Sequence, residues 1–246
     1  MTEPLDERGT LLVDIELPDP APIPPRLAAL MGSLKVVLVG WYAVPEQTSP
    51  AQARDQFEDE LQVMLDAVAK TLRSAGAEVE TRLVFTGDEF ATIERISAET
   101  GCDAVLIPKP AATLERVLVP VRGLQNASRI AHFVADLVQD GTTDVTLLHV
   151  LKESEEDGDS PNNVLTETAR LAADAGIDAG LIRLRTEHAG DPAEAIIDAA
   201  KDHDAMVIGE TEPSVREAIF GSVAEQAARD ATVPVMVVRR RSGQYD

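Results

Sequence analysis

Apolar residues fall along this chain in two alternating rhythms. Short segments rich in Val, Leu and Ile occur at Thr10–Ile15, Lys35–Val39, Glu78–Phe85 and Asp103–Ile107. They return at Arg116–Val121, Asp144–Val150, Gly180–Leu184, Ala205–Ile208 and Val233–Val238. Segments of this length and content predict strands, and the wholly apolar ones, such as Val117–Val121, predict buried strands. Between them the apolar positions recur at helical spacing. Gln52–Ser74 carries Phe57, Leu61, Met64, Leu65, Val68 and Leu72 on one stripe, and Ser128–Gln139 carries Ile130, Phe133, Val134 and Leu137. Further helices are expected at Pro24–Met31, from Gly87-Asp88 to Thr100, and at Val164–Ala175. Asp191-Pro192-Ala-Glu194 opens another, with an N-cap, a proline in the first turn and a glutamate at the third position. Strands alternating with helices imply an α/β fold of parallel sheets joined by right-handed crossovers.

The pattern occurs twice. Gly87-Asp88 matches Gly190-Asp191, and Asp103-Ala-Val-Leu-Ile107 matches Asp204-Ala-Met-Val-Ile208, at an offset of about a hundred residues. Two units are therefore expected, at 10–110 and 115–241. The first is truncated: after Ile107 only Pro108-Lys-Pro-Ala-Ala-Thr-Leu-Glu115 precedes the next strand. It lacks the loop, fourth helix and fifth strand of the second unit. Two prolines around Lys109 read as an extended linker rather than a ligand loop.

Charge narrows the setting. The 246-residue chain has a net charge of −21, with lysine only at Lys35, Lys70, Lys109, Lys152 and Lys201. A normal aliphatic content makes it a folded chain, and so acidic a surface fits a salt-rich cytosol where repulsion is screened. The charge argues against nucleic acid and anionic membranes as partners. Ala28–Val44 is mostly apolar, but Gly32, Ser33 and Lys35 interrupt it, so no membrane insertion is expected. The lone Cys102 allows neither an intrachain disulfide nor a thiolate metal site. With no secretory pattern at the start, a cytoplasmic protein is expected. His132, His149, His188 and His203 show no ligand spacing.

Val119-Pro120-Val-Arg122, Leu148-His-Val150, Gly190-Asp-Pro-Ala-Glu194 and Gly209…Gly221-Ser222 together resemble the universal stress protein family. The likeness covers 116–241 directly and 10–110 through the repeat. It implies a tandem, two-repeat universal stress protein with the adenine nucleotide alpha hydrolase-like parallel sheet, the first repeat truncated. Nucleotide-binding members carry glycine, two residues, glycine, nine residues, then glycine with serine or threonine. This chain has Gly209 and Gly221-Ser222, with Glu212 beside Pro213 in the middle position and the spacing one residue short. Glutamate and proline there oppose close approach of a phosphate. Binding members also place an aspartate two residues past the strand proline, at the adenosine end. Arg122 stands there after Pro120, and Glu16 at the aligned position of the first repeat.

Two functions stay open. One is a regulatory or interaction module without catalysis, acting on a protein partner such as a transporter. The other is a stress sensor that binds ATP or AMP and slowly hydrolyses ATP. Its site would place Gly209, Gly221, Ser222 and Val223 at the phosphates, Val150 near the base, and Pro120 and Arg122 at the adenosine end. Ser222-Val-Ala-Glu225 also reads as a capping box, which explains Gly221-Ser222 without a ligand. A homodimer is expected through the last strand, Val233–Val238, pairing with its copy.

Overall fold

Each apolar run becomes a strand of one sheet. The computed structural model describes residues 8–45, 47–109, 114–139, 141–152, 161–210 and 230–239. The strands are β1 (Thr10–Leu17), β2 (Lys35–Ala43), β3 (Glu78–Thr86), β4 (Ala104–Ile107), β5 (Arg116–Pro120), β6 (Asp144–Lys152), β7 (Ile182–Ala189), β8 (Ala205–Gly209) and β9 (Val235–Val238). The helices are α1 (Pro25–Leu30), α2 (Pro50–Ser74), α3 (Glu89–Thr100), α4 (Ala127–Leu137), α5 (Pro161–Asp174) and α6 (Pro192–Ala200). The sheet order is β3-β2-β1-β4-β9-β8-β5-β6-β7, and every neighbouring pair is parallel except β4 with β9. Read inward from either edge, each half follows its own third, second, first and fourth strand, and β9 is the one addition.

Helices cover both faces, which is why the inner strands read as continuous apolar runs. One core runs the width of the sheet beneath α1, α2, α4 and α5, from Leu38 and Leu65 to Val119, Phe133 and Leu147. On the opposite face α3 seals Leu12, Val39 and Val105, and α6 seals Leu118, Met206 and Val237. The predicted stripe on α2 faces inward: Leu61, Leu65 and Leu72 are buried, with Phe57, Met64 and Val68 packed against the same core.

The repeated aspartates perform repeated structural tasks. Asp88 Oδ1 accepts a hydrogen bond from Ala91 N at the start of α3, and Asp191 Oδ1 accepts from Ala193 N and Glu194 N at the start of α6. Asp191 is the N-cap the sequence predicts, and Asp88 performs the same task at the helix it leads into. Asp103 Oδ2 accepts from Thr10 N at the start of β1, while Asp204 Oδ2 accepts from Glu115 N and Arg116 N at the start of β5. Each fourth strand is thus tied to the first strand of its own half.

Three expectations are corrected. The strand predicted at Gly180–Leu184 begins as a 3-10 turn at Ala179–Leu181, held by Asp178 accepting from Gly180 N; its extended part is Ile182–Ala189. The second strand continues past Val39 to Ala43, so Trp41 and Tyr42 belong to it. The third correction concerns Val233–Val238. Val235–Val238 pairs in parallel with Met206–Gly209 on one side and antiparallel with Ala104–Ile107 on the other. Both edges are used within the chain, so pairing with the same strand of another copy has no free edge. Among the described residues no strand lies between Ile107 and Arg116, and β4 meets β9 at the central seam.

Candidate functional site

In open α/β sheets, ligands sit at the carboxyl ends of strands where neighbouring crossovers diverge. The sheet offers such a crevice in each half: between β1 and β4, and between β5 and β8.

The second crevice holds the expected residues that the structure describes. Pro120 ends β5 and is buried, while Arg122 lies two residues beyond and is exposed. His149 Nδ1 lies 2.7 Å from the Val121 carbonyl, so this nitrogen carries the proton and pins the strand end. Val150 packs against the apolar cluster beneath α6. Gly209 closes β8, and the strand end is tied to the seam by Glu210 N donating to the Val238 carbonyl at 2.9 Å. Gly221, Ser222 and Val223 lie outside the described residues.

Gly209 has a local reason to be glycine. A Cβ there would stand 2.8 Å from Cδ1 of Ile130 and 3.1 Å from Nδ2 of Asn126. The first turn of α4 therefore presses on the strand end, and a side chain would push it away. Asn126 is a site residue that sequence reasoning missed. It precedes α4 without capping it, and its buried Nδ2 has no acceptor among the described residues. An asparagine at the N-cap position whose side chain declines the cap was the available signal.

The first crevice is a cavity of about 490 Å³. Val13, Ile15, Leu27 and Leu106 form its apolar wall, and the segment Asp19–Pro24 encloses it. Asp14, Glu16, Asp19, Trp41 and Lys109 supply the polar lining. Lys109, read from sequence as part of a plain linker, therefore faces a cavity. Burial raises the Asp14 carboxyl above its usual 3.8, and its own backbone amide and the Trp41 indole counter part of that. Trp41 Nε1 is nonetheless buried with no acceptor in hydrogen-bonding geometry among the described residues. Glu89, at the start of α3, is also raised, by burial and then by the nearby carboxylates of Asp14 and Glu16. Two acids inside an otherwise apolar strand, Leu11-Leu-Val-Asp-Ile-Glu-Leu17, were the sequence signal for this cluster.

The universal stress protein family model matches residues 113–239, just over half of the chain. No curated protein matches the chain in sequence. Among solved structures, a universal stress protein from Archaeoglobus fulgidus DSM 4304 aligns over 95% of this chain and 99% of its own, with 18% identity and a TM-score of 0.66. A putative universal stress protein from Pseudomonas aeruginosa UCBPP-PA14 aligns over 95% and 94%, with 15% identity and a TM-score of 0.54. A universal stress protein from Archaeoglobus fulgidus, in complex with dAMP, aligns over 54% of this chain and 98% of its own at 24% identity and a TM-score of 0.40, too slight a likeness to carry a ligand across. The two full-length likenesses share the fold, and no helix among the described residues is long and apolar enough to cross a membrane. With the family model over its second half and that sheet throughout, this chain belongs to the universal stress protein family.

Proposed function

We propose that this chain is a regulatory or interaction module without catalysis, built of two repeats at 10–110 and 115–241, with weak or no ATP binding. The observation that carries the proposal is the packing of Ile130 on Gly209, which accounts for the loop's first glycine without a phosphate. The first crevice supports it from the other side. Asp14, Glu16 and Asp19 line it, with Glu89 close enough to feel Asp14 and Glu16, and a polyphosphate placed there meets like charge. The doubled caps and the doubled strand ties support the two-repeat division.

An acidic surface suits a salt-rich, archaeal-type cytosol, and a protein partner such as a transporter would read that surface. A homodimer of this chain would have to use another surface than β9; β3 and β7 are the outer strands of the sheet.

A thermal-shift series with ATP, ADP and AMP in molar KCl tests the proposal. A bound ligand at a hundredfold excess over Kd adds about 2.7 kcal/mol of stability. In a chain of this length that is a rise in Tm of about 5–11 °C. No shift is expected at nucleotide concentrations below about 1 mM, and a saturable rise in that range overturns the proposal.

One observation favours the second reading, an ATP- or AMP-binding sensor: the unpartnered Nδ2 of Asn126 beside Gly209. In that reading Asn126 donates to the nucleotide alongside Pro120, Arg122, Val150, Gly209, Gly221, Ser222 and Val223. Asn126→Ala then abolishes a nucleotide-induced shift that the parent shows.

A further inference from the structure

We infer that the cavity between β1 and β4 binds a small organic amine with an apolar body and a hydrogen-bond acceptor. Its volume, about 490 Å³, lies within the usual range for small-molecule sites, and its walls are mostly aliphatic. Charge selects the occupant. Among the described residues Asp14, Glu16 and Asp19 line the cavity with one cation, Lys109, and the Glu89 carboxylate lies close enough to feel Asp14 and Glu16. An anion entering there meets the same sign of charge, whereas an ammonium is attracted by every acid present. A metal ion fits poorly, because no three carboxylate, histidine or cysteine groups among the described residues converge as metal ligands. A protonated amine needs no such convergence, since its body is held by apolar contact and its charge by one or two carboxylates.

Trp41 supplies the rest of the recognition. Its Nε1–H is buried without an acceptor in hydrogen-bonding geometry among the described residues, and leaving such a donor unmet is costly. An acceptor on the ligand satisfies it. The indole face also attracts a cation held within about 6 Å. Burial already strains the ionised form of Asp14, and an ammonium beside it relieves that strain. The cavity lies in the other half of the chain from Gly209, so the inference stands whether or not a nucleotide binds there.

Trp41 is the sole tryptophan, so its fluorescence reports on this cavity directly. Titration of the full chain with tyramine and with hexylamine, followed by Trp41 emission, is expected to saturate. Hexanol should bind at least about tenfold more weakly, the size of a lost charge-assisted hydrogen bond. Asp14→Asn should weaken tyramine by at least about tenfold, and Asp19→Asn, at an exposed position, by a few-fold. Asp174→Asn, remote on α5, should leave it unchanged and so exclude a mere effect of net charge. Equal binding of hexanol and hexylamine overturns the inference, as does an absence of any saturable change. Tyramine affinity unchanged in both Asp14→Asn and Asp19→Asn overturns it too, as does ATP or AMP displacing tyramine.

Discussion

Gly209→Ala separates a glycine needed for packing from one needed for phosphate. The added Cβ would stand 2.8 Å from Cδ1 of Ile130, well inside the carbon–carbon optimum of about 3.5–4.0 Å. Ile130 is only 5% exposed, so it has little room to withdraw. Overfilling a packed site costs about 1–3 kcal/mol. The crowded atom is the tip of a rotatable side chain, which places the cost in the lower part of that range, about 1–2 kcal/mol. In a chain of this length the corresponding fall in Tm is about 2–8 °C. Ile130→Val removes that tip and by itself costs about 0.5–1.5 kcal/mol. Combined with Gly209→Ala it should cost less than the sum, with a coupling of about 1 kcal/mol, because one change makes the space the other fills. Urea unfolding of the parent, both single variants and the double variant measures that coupling. If Gly209→Ala is as stable as the parent, or if the two changes simply add, α4 does not dictate the glycine. The phosphate explanation then regains its ground.

Other outcomes can be checked on the same material. A carboxyl whose native pKa is raised stabilises most below its unfolded value and loses that contribution as pH rises through the native value. For Asp14, raised above 3.8 by burial, Asp14→Asn should be the more stable protein near neutral pH, with the gap closing in more acidic buffer. Melting curves across that range decide it, and a less stable Asp14→Asn at neutral pH refutes the burial argument. Gly32→Ala would drive a Cβ into the backbone carbonyl of Ala75 at the end of α2, which cannot rotate aside. A loss of about 3 kcal/mol is expected by urea unfolding, and a near-neutral result would mean that the two segments can part cheaply. Asp191→Ala removes the acceptor for two amides at the start of α6 and should cost about 0.5–2 kcal/mol, while Asp191→Asn should retain most of it. Equal losses in the two variants would show that charge, not the cap, was at stake.

Much of this protein was legible in its sequence. Unbroken runs such as Val36–Val39 and Val117–Val119 marked strands buried on both faces, since only a sheet covered twice makes such runs. Asp88 and Asp191 marked helix starts because a cap is a local bond between residues two or three positions apart. The family resemblance was legible too, in motifs that fall within the matched residues 113–239. What sequence left undecided were contacts between residues far apart in the chain. Ala104–Ile107 and Val235–Val238 each read as buried strands, but apolarity does not say which strands are neighbours; their antiparallel seam joined the halves and took away the expected dimer edge. The packing of Ile130 and Asn126 against Gly209 came into view only with α4 in place. Asp14 and Glu16 were two acids among many until Trp41, Lys109 and Leu106 closed a cavity around them. Local bonding and burial periodicity are written in neighbouring residues, whereas strand order and cavity walls exist only once distant segments have met.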